Sequence, residues 1–224
     1  MRRSAPVPGT PCRPSHKARG LPVGSVLLWA FVLLTSGCGV LSRPALVKQY
    51  YLLDAAAEAS TAAPVFPFAI KVVAFEVAPP FEDRALVYRT DDQRYESDFY
   101  NGFFVTPRSM ITSRMAEWLG ARRIFAAALP PSSALDAPYA MEGLVNALYG
   151  DLRNAAEPGA VFTMQVFVTQ TGTLERRILL ERTYSHAVRV ADRSADSVSK
   201  GMSLAFQQCL ADLERDLRAL DLKP

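Results

Sequence analysis

Cysteine and histidine are scarce in this chain: 3 and 2 in 224 residues. The cysteines stand at 12, 38 and 209 and the histidines at 16 and 186. Glycine-rich phosphate loops are missing in both common forms, G-x-x-x-x-G-K-[ST] and G-x-G-x-x-G, so nothing points to nucleotide binding. A G-x-S-x-G nucleophile turn is missing too. Apolar runs stop short of the ~20 residues that a membrane-spanning helix needs.

Charge of one sign is also unevenly absent. Residues 1–37 contain Arg2, Arg3, Arg13, Lys17 and Arg19 and no acid. The whole chain carries +3, so with +5 in this segment the remainder is −2. The basic character is therefore local, and a nucleic-acid partner is not expected.

What is present at the N-terminus has the layout of a secretory signal. A basic, Pro-rich stretch leads into "LPVGSVLLWAFVLL", Leu21 to Leu34, and then into the small residues Thr35, Ser36 and Gly37. Thr-Ser-Gly-Cys resembles a bacterial lipobox. Cleavage before Cys38 would leave its thiol to carry a diacylglyceryl thioether and its amine a third acyl chain. No other cofactor is expected. At ~0.8 kcal/mol per buried CH₂, three chains hold a protein on a membrane. Gly39 rather than Asp follows the cysteine, which favours delivery to the outer membrane. Cys12 and His16 leave with the signal, so Cys209 has no partner, and one cysteine with His186 makes no zinc site. Cys209 lies in an apolar helical stripe and reads as a small core residue. The expected organisation is a signal at 1–37, a lipidated tether at 38–48 and one domain at 49–224.

Within that domain the strand signals are "QYYLLD" (Gln49 to Asp54), "FAIKVVAFEV" (Phe68 to Val77), "ALVYRT" (Ala85 to Thr90), Arg94 to Val105 and "RIFAAAL" (Arg123 to Leu129). Three long strands follow, Tyr139 to Arg153, Ala160 to Gln170 and Arg176 to Val190, joined by hairpin-length turns. Thr106-Pro107 opens a helix with Ile111, Met115, Trp118 and Leu119 on one face and Gly120 as its stop. Ser194 to Leu220 is a second helix, with Val198, Met202, Ala205, Cys209, Leu213, Leu217 and Leu220 as its buried stripe. The pattern predicts an α+β domain: a mainly antiparallel sheet covered by two helices.

Catalytic motifs are weak. Ser197-Val198-Ser199-Lys200 matches S-x-x-K but no S-D-N or K-T-G accompanies it. His186 has no carboxylate clearly placed to orient it. Glu82-Asp83 and Asp91-Asp92 are adjacent acids in turns, which point into solvent rather than converge on a metal. The chain is expected not to be an enzyme. The aromatic cluster from Tyr95 to Trp118 has two readings. It forms core where the first helix meets the sheet, or Phe103 and Phe104, beside Gly102, stand exposed and dock a protein or lipid.

The order of elements resembles a known family. "YYLLD" (Tyr50 to Asp54) closely follows the lipobox, and "IKVVAFEVAPPFEDRALVYRT" (Ile70 to Thr90) precedes an aromatic stretch and a Pro-opened helix. This is similar to the ABC-type transport auxiliary lipoproteins, the family that includes paraquat-inducible protein C. "YNGFFVTP", Tyr100 to Pro107, departs from the Trp-centred segment the family has there. The resemblance implies a fold similar to the N-terminal domain of TolB. It also implies a non-catalytic lipoprotein, anchored to the outer membrane and facing the periplasm. Its partners would be an MCE-domain protein and an ABC permease with its ATPase, moving phospholipid or other hydrophobic molecules, and it would form a homo-oligomer. On this resemblance Cys38 is the anchor and Arg84, Tyr88, Phe103 and Phe104 are surface contacts. An envelope scaffold without a transport role, and a lipid-anchored hydrolase using Ser197 and Lys200, are the alternatives.

Overall fold

The computed structural model describes residues 47–55, 58–172 and 177–223. The expected signal segment, Cys38 and the tether as far as residue 46 lie outside the described residues, as does Thr173 of the last hairpin turn.

The long strands come first in the argument because they carry the sheet. β7 (Tyr139–Asp151) and β8 (Gly159–Gln170) alternate between buried and half-buried residues, as strands covered on one face do. They pair antiparallel from Tyr139↔Gln170 to Asp151↔Gly159, with one slip between Val145 and Ala147. β9 (Arg177–Arg189) pairs antiparallel with β8, after a turn in which Gly172 takes φ 81°. The C-terminal meander is thus as expected.

The other edge of β7 is shared by three segments, all parallel to it. β2 (Phe66–Val72) pairs at Tyr139–Met141, β3 (Glu76–Val77) at Leu144–Val145 and β4 (Ala85–Arg89) at Gly150–Asp151. β6 (Phe125–Leu129) adds parallel to β2, β5 (Tyr95–Phe103) antiparallel to β4, and β1 (Gln49–Tyr51) parallel to β5. The sheet is therefore mixed, which corrects the mainly antiparallel expectation. The cause is that strands returning to one sheet through crossovers must run parallel, and periodicity carries no sign of direction.

The strand expected over Phe68 to Val77 is broken at 73–75. From Val72 to Glu76 the chain uses one residue more than β7 does from Met141 to Leu144. Phe75 turns inward there and is fully buried. Its amide donates to Thr112 Oγ1 at 2.9 Å, and its ring lies on Gly143, where a Cβ would come within 2.3 Å of it.

Both helices cover one face of this sheet. α1 (Pro107–Arg122) has Pro107 in its first turn, and the Thr106 hydroxyl accepts from the Ser109 amide at 3.5 Å. It buries Met110, Ile111, Met115, Trp118 and Leu119. Gly120 is interior rather than the stop. The helix continues to Arg122, and Arg123 takes the left-handed cap, φ 49°, with its amide on the Gly120 carbonyl at 3.3 Å. α2 (Ala195–Arg218) is capped by Ser194, whose hydroxyl accepts from Ser197 N at 3.2 Å. Its stripe from Val198 to Leu217 is buried as predicted, with Cys209 fully enclosed. Arg122 joins the helices through a bidentate bond to Glu214, 2.7 and 2.9 Å. Among the described residues the core runs from Leu53 to Leu222, all within the unit Leu46–Pro224.

Two glycines separate packing from propensity. Gly143→Ala must displace the enclosed Phe75 ring and the Gln165 carbonyl, and we expect a loss of about 1–3 kcal/mol. A Cβ at Gly120 meets nothing within 4 Å, so Gly120→Ala should stabilise by about 0.5–1 kcal/mol. Urea midpoints that move in the same direction would contradict this packing.

Candidate functional site

β1 forms one edge of the sheet beside β5, and β5 is irregular there. Ala85 pairs with Gly102 but Val87 pairs with Ser97, so two steps on β4 face five on β5. The surplus is a bulge at residues 98–101, built on one carboxylate. Asp98 Oδ1 accepts from the amides of Tyr100 at 2.8 Å and Asn101 at 3.0 Å. Its Oδ2 accepts from Asn101 Nδ2 at 2.9 Å and from the Tyr88 hydroxyl at 3.0 Å. Burial opposes the charge on Asp98, but these hydrogen bonds outweigh it and hold the carboxyl below its ordinary range. The Tyr88 phenol is pushed up by its own burial and by the Asp98 charge, so it stays a donor.

The bulge turns Phe99 and Tyr100 outward. Phe99 is 71% exposed, and Phe104, just past the end of β5, is 62% exposed. Tyr50 meets Phe104 edge to face at 6.2 Å, and Phe99 meets Tyr100 likewise at 5.1 Å. Two cations lie over these rings: the Arg84 guanidinium 5.1 Å from the centre of Tyr50 and the Lys48 ammonium 4.4 Å from that of Phe99. Arg84 Nε also donates to the Phe103 carbonyl at 3.1 Å, while the Phe103 amide donates to the Arg84 carbonyl at 2.6 Å. This close approach needs Gly102, where a Cβ would stand 2.6 Å from the Arg84 oxygen. Lys48, Tyr50, Arg84, Phe99 and Tyr100 line a shallow cleft of about 270 Å³.

Among the expected contact residues, Arg84 and Phe104 belong to this patch. Tyr88 lies behind it and acts on it through Asp98. Phe103 is not a surface residue: it is 2% exposed, because residue 103 pairs with Tyr51 and its side chain enters the core while that of Phe104 leaves it. Sequence reasoning missed Lys48, Tyr50, Asp98, Phe99 and Tyr100 as site residues. The signal for them was "DFYNG", an acid able to cap the amides two and three residues on, followed by two aromatics and Asn-Gly.

The other candidates assemble differently. His186 does have a carboxylate: its Nε2 is 2.7 Å from Asp212 Oδ2 on α2. One turn further along, Asp216 accepts from Arg182 Nη1 at 2.7 Å and from the Tyr184 hydroxyl at 2.8 Å. The three strand residues and two helix acids clamp α2 to β9. The Cys209 thiol is enclosed on the Phe162 carbonyl, and burial pushes it up to about 12. Lys200 bonds Asp196 at 2.6 Å, and that carboxylate favours the charged ammonium, the wrong form for a base toward Ser197. Among the described residues no group of three or more His, Cys, Asp or Glu side chains is placed to hold a metal, and no helix is long and apolar enough to cross a membrane.

Fold and surface together define an α+β domain with a curled mixed sheet, two helices on one face and an aromatic, cationic edge. Solved structures share this fold. Protein XCC0632 from Xanthomonas campestris, which carries the family description DUF330, superposes with a TM-score of 0.65 at 14% identity, covering 75% of this chain and 95% of that one. An uncharacterized protein superposes with a TM-score of 0.58 at 15% identity, covering 76% and 99%. No family model and no curated protein matches the chain.

Acid should loosen the bulge selectively. Because the folded Asp98 carboxyl is held low, its stabilisation is complete above the unfolded value of ~3.9 and is lost as pH falls through the folded value. Asp98→Asn should therefore be less stable than the parent at neutral pH, and the gap should narrow at pH values below about 4. Urea midpoints for both proteins across that range check it; a gap independent of pH contradicts the assignment.

Proposed function

We propose that this chain is a lipid-anchored envelope lipoprotein. It acts as a non-catalytic auxiliary component of an ABC/MCE-type system that moves phospholipid or other hydrophobic molecules. The reading places it with the ABC-type transport auxiliary lipoproteins and relates its fold to the N-terminal domain of TolB. Its partners would be an MCE-domain protein and the permease and ATPase of the same system, and its location the periplasmic face of the outer membrane.

The observation that carries the reading is where the patch lies. The exposed aromatic edge begins at Lys48, a short stretch after the lipobox-like Thr35-Ser36-Gly37-Cys38. A chain tethered by Cys38 would present this edge next to its anchor. A fold shared with a DUF330 protein fits the resemblance. The enclosure of the Cys209 thiol and the Lys200–Asp196 pair favour contact over catalysis.

Cross-linked envelopes provide the test. Wild-type protein should fractionate with the outer membrane and bring down an MCE-domain protein and its permease, whereas Cys38→Ala should leave the outer-membrane fraction. Outer-membrane fractionation without any MCE component would leave an envelope scaffold in place of the transport role. Unchanged fractionation of Cys38→Ala would overturn the anchor.

A further inference from the structure

Resting on the reading that Cys38 carries the anchor, we propose that the aromatic edge seats the domain directly on an anionic phospholipid surface. The contact residues are Lys48, Tyr50, Arg84, Phe99, Tyr100 and Phe104.

Reach comes first. Eight residues separate Cys38 from Val47, and the nine steps between them at ~3.3–3.6 Å each span about 30 Å when fully extended. Val47 is itself 77% exposed and leads straight into the patch. The chain from Cys38 therefore enters the domain at this edge.

Composition comes second. The most exposed members, Phe99 and Phe104, are purely apolar, and Tyr50 and Tyr100 beside them each have an apolar ring with a polar tip. Amphipathic rings of this kind sit at the headgroup level of membranes, with phenylalanine reaching deeper. The two cations lie over Tyr50 and Phe99, where they can reach headgroup phosphates while the rings insert.

Charge comes third. An anionic surface would be repelled by a free carboxylate in the patch. Asp98, the acid at its centre, has its oxygens turned inward onto four donors. Glu82 and Asp83, the acids next to Arg84 in sequence, do not line the cleft. The bulge thus needs a carboxylate for its geometry and engages both of its oxygens in hydrogen bonds.

The test uses residues 47–223, which hold every described element and the core of the described residues. The protein is sedimented with vesicles of phosphatidylethanolamine and phosphatidylglycerol, and separately with uncharged phosphatidylcholine vesicles. Wild type should sediment with the anionic vesicles, more weakly with the uncharged ones, and less as salt is added. Lys48→Gln with Arg84→Gln should weaken anionic binding about thirty-fold, the value for two surface cations. Phe99→Ser with Phe104→Ser should weaken it roughly ten-fold or more on both vesicle types. Phe99 and Phe104 are exposed, so the urea midpoint of that variant should stay near the parent's; Arg84→Gln also gives up the bond to the Phe103 carbonyl, and its urea midpoint shows that it still folds. Binding by both variants equal to wild type, or no wild-type binding to anionic vesicles, overturns the proposal. If the isolated domain ignores vesicles but the anchored protein cross-links to an envelope protein through the two phenylalanines, the patch is a protein contact instead. Because the fragment lacks Cys38, these results stand apart from the anchor: unchanged fractionation of Cys38→Ala overturns that reading alone.

Discussion

Strand β7 is hydrogen-bonded along both of its edges, and most of the architecture is a consequence. A buried strand of that length leaves a row of amides and carbonyls on each side, and each must find a partner. β8 satisfies one side from end to end. The other side is met by three separate segments, β2, β3 and β4, which run in the same direction as β7. Between them the chain spends a bulge at residues 73–75 and a Pro-rich turn at Pro79–Phe81. β2 then leads outward to β6, while β4 leads outward to β5 and β1. The sheet divides along that side into two short flaps. α1 carries the chain from one flap to the other, and Arg122–Glu214 locks it against α2.

The patch exists because the β4–β5–β1 flap is free of β7 for most of its length. Only Tyr88 and Arg89 of β4 are pinned to β7, so β5 can hold surplus residues without breaking the central ladder. Asp98 turns the surplus into a fixed shape. Its four hydrogen bonds reach backbone and side chains on both sides of the bulge, including one from Tyr88 in the next strand. Gly102 then lets β5 close back onto Arg84. The exposed rings rest on a rigid base, which lowers the entropy lost when they are covered.

Much of this was legible in the chain, and the exceptions share a cause. Thr106-Pro107 marks its helix because a cap is local chemistry. The α2 stripe was legible because a helix repeats its geometry. Gly120 misled because its open surroundings allow the helix to continue past it, and Arg123 accepts the left-handed cap instead. The break at Phe75 depends on Gly143, far along the chain, so no local pattern could show it. Phe103 and Phe104 could not be told apart because the bulge resets the in–out alternation before it reaches them. The partner of His186 was the nearest miss. Arg182, Tyr184 and His186 recur every second residue and Asp212 and Asp216 one helical turn apart, so the two spacings matched once strand and helix were laid side by side.

Two edges of the sheet, β9 and β1, are treated in opposite ways. β9 is long and unpaired on one side among the described residues, which invites pairing with another chain. It carries Arg177, Glu181, Arg182 and Arg189, and its inward polar residues are held by the acids of α2. Charges of this kind discourage edge-to-edge association. β1 is only three residues long, so its hydrogen-bonding row is already blunt. There the chain places aromatic rings and two cations, with the local acid turned inward. Protecting a short edge from aggregation needs none of these exposed rings, and their exposure costs solubility. The two edges thus differ in kind: the long one carries charge that discourages pairing, and the short one carries rings held on the Asp98 bulge.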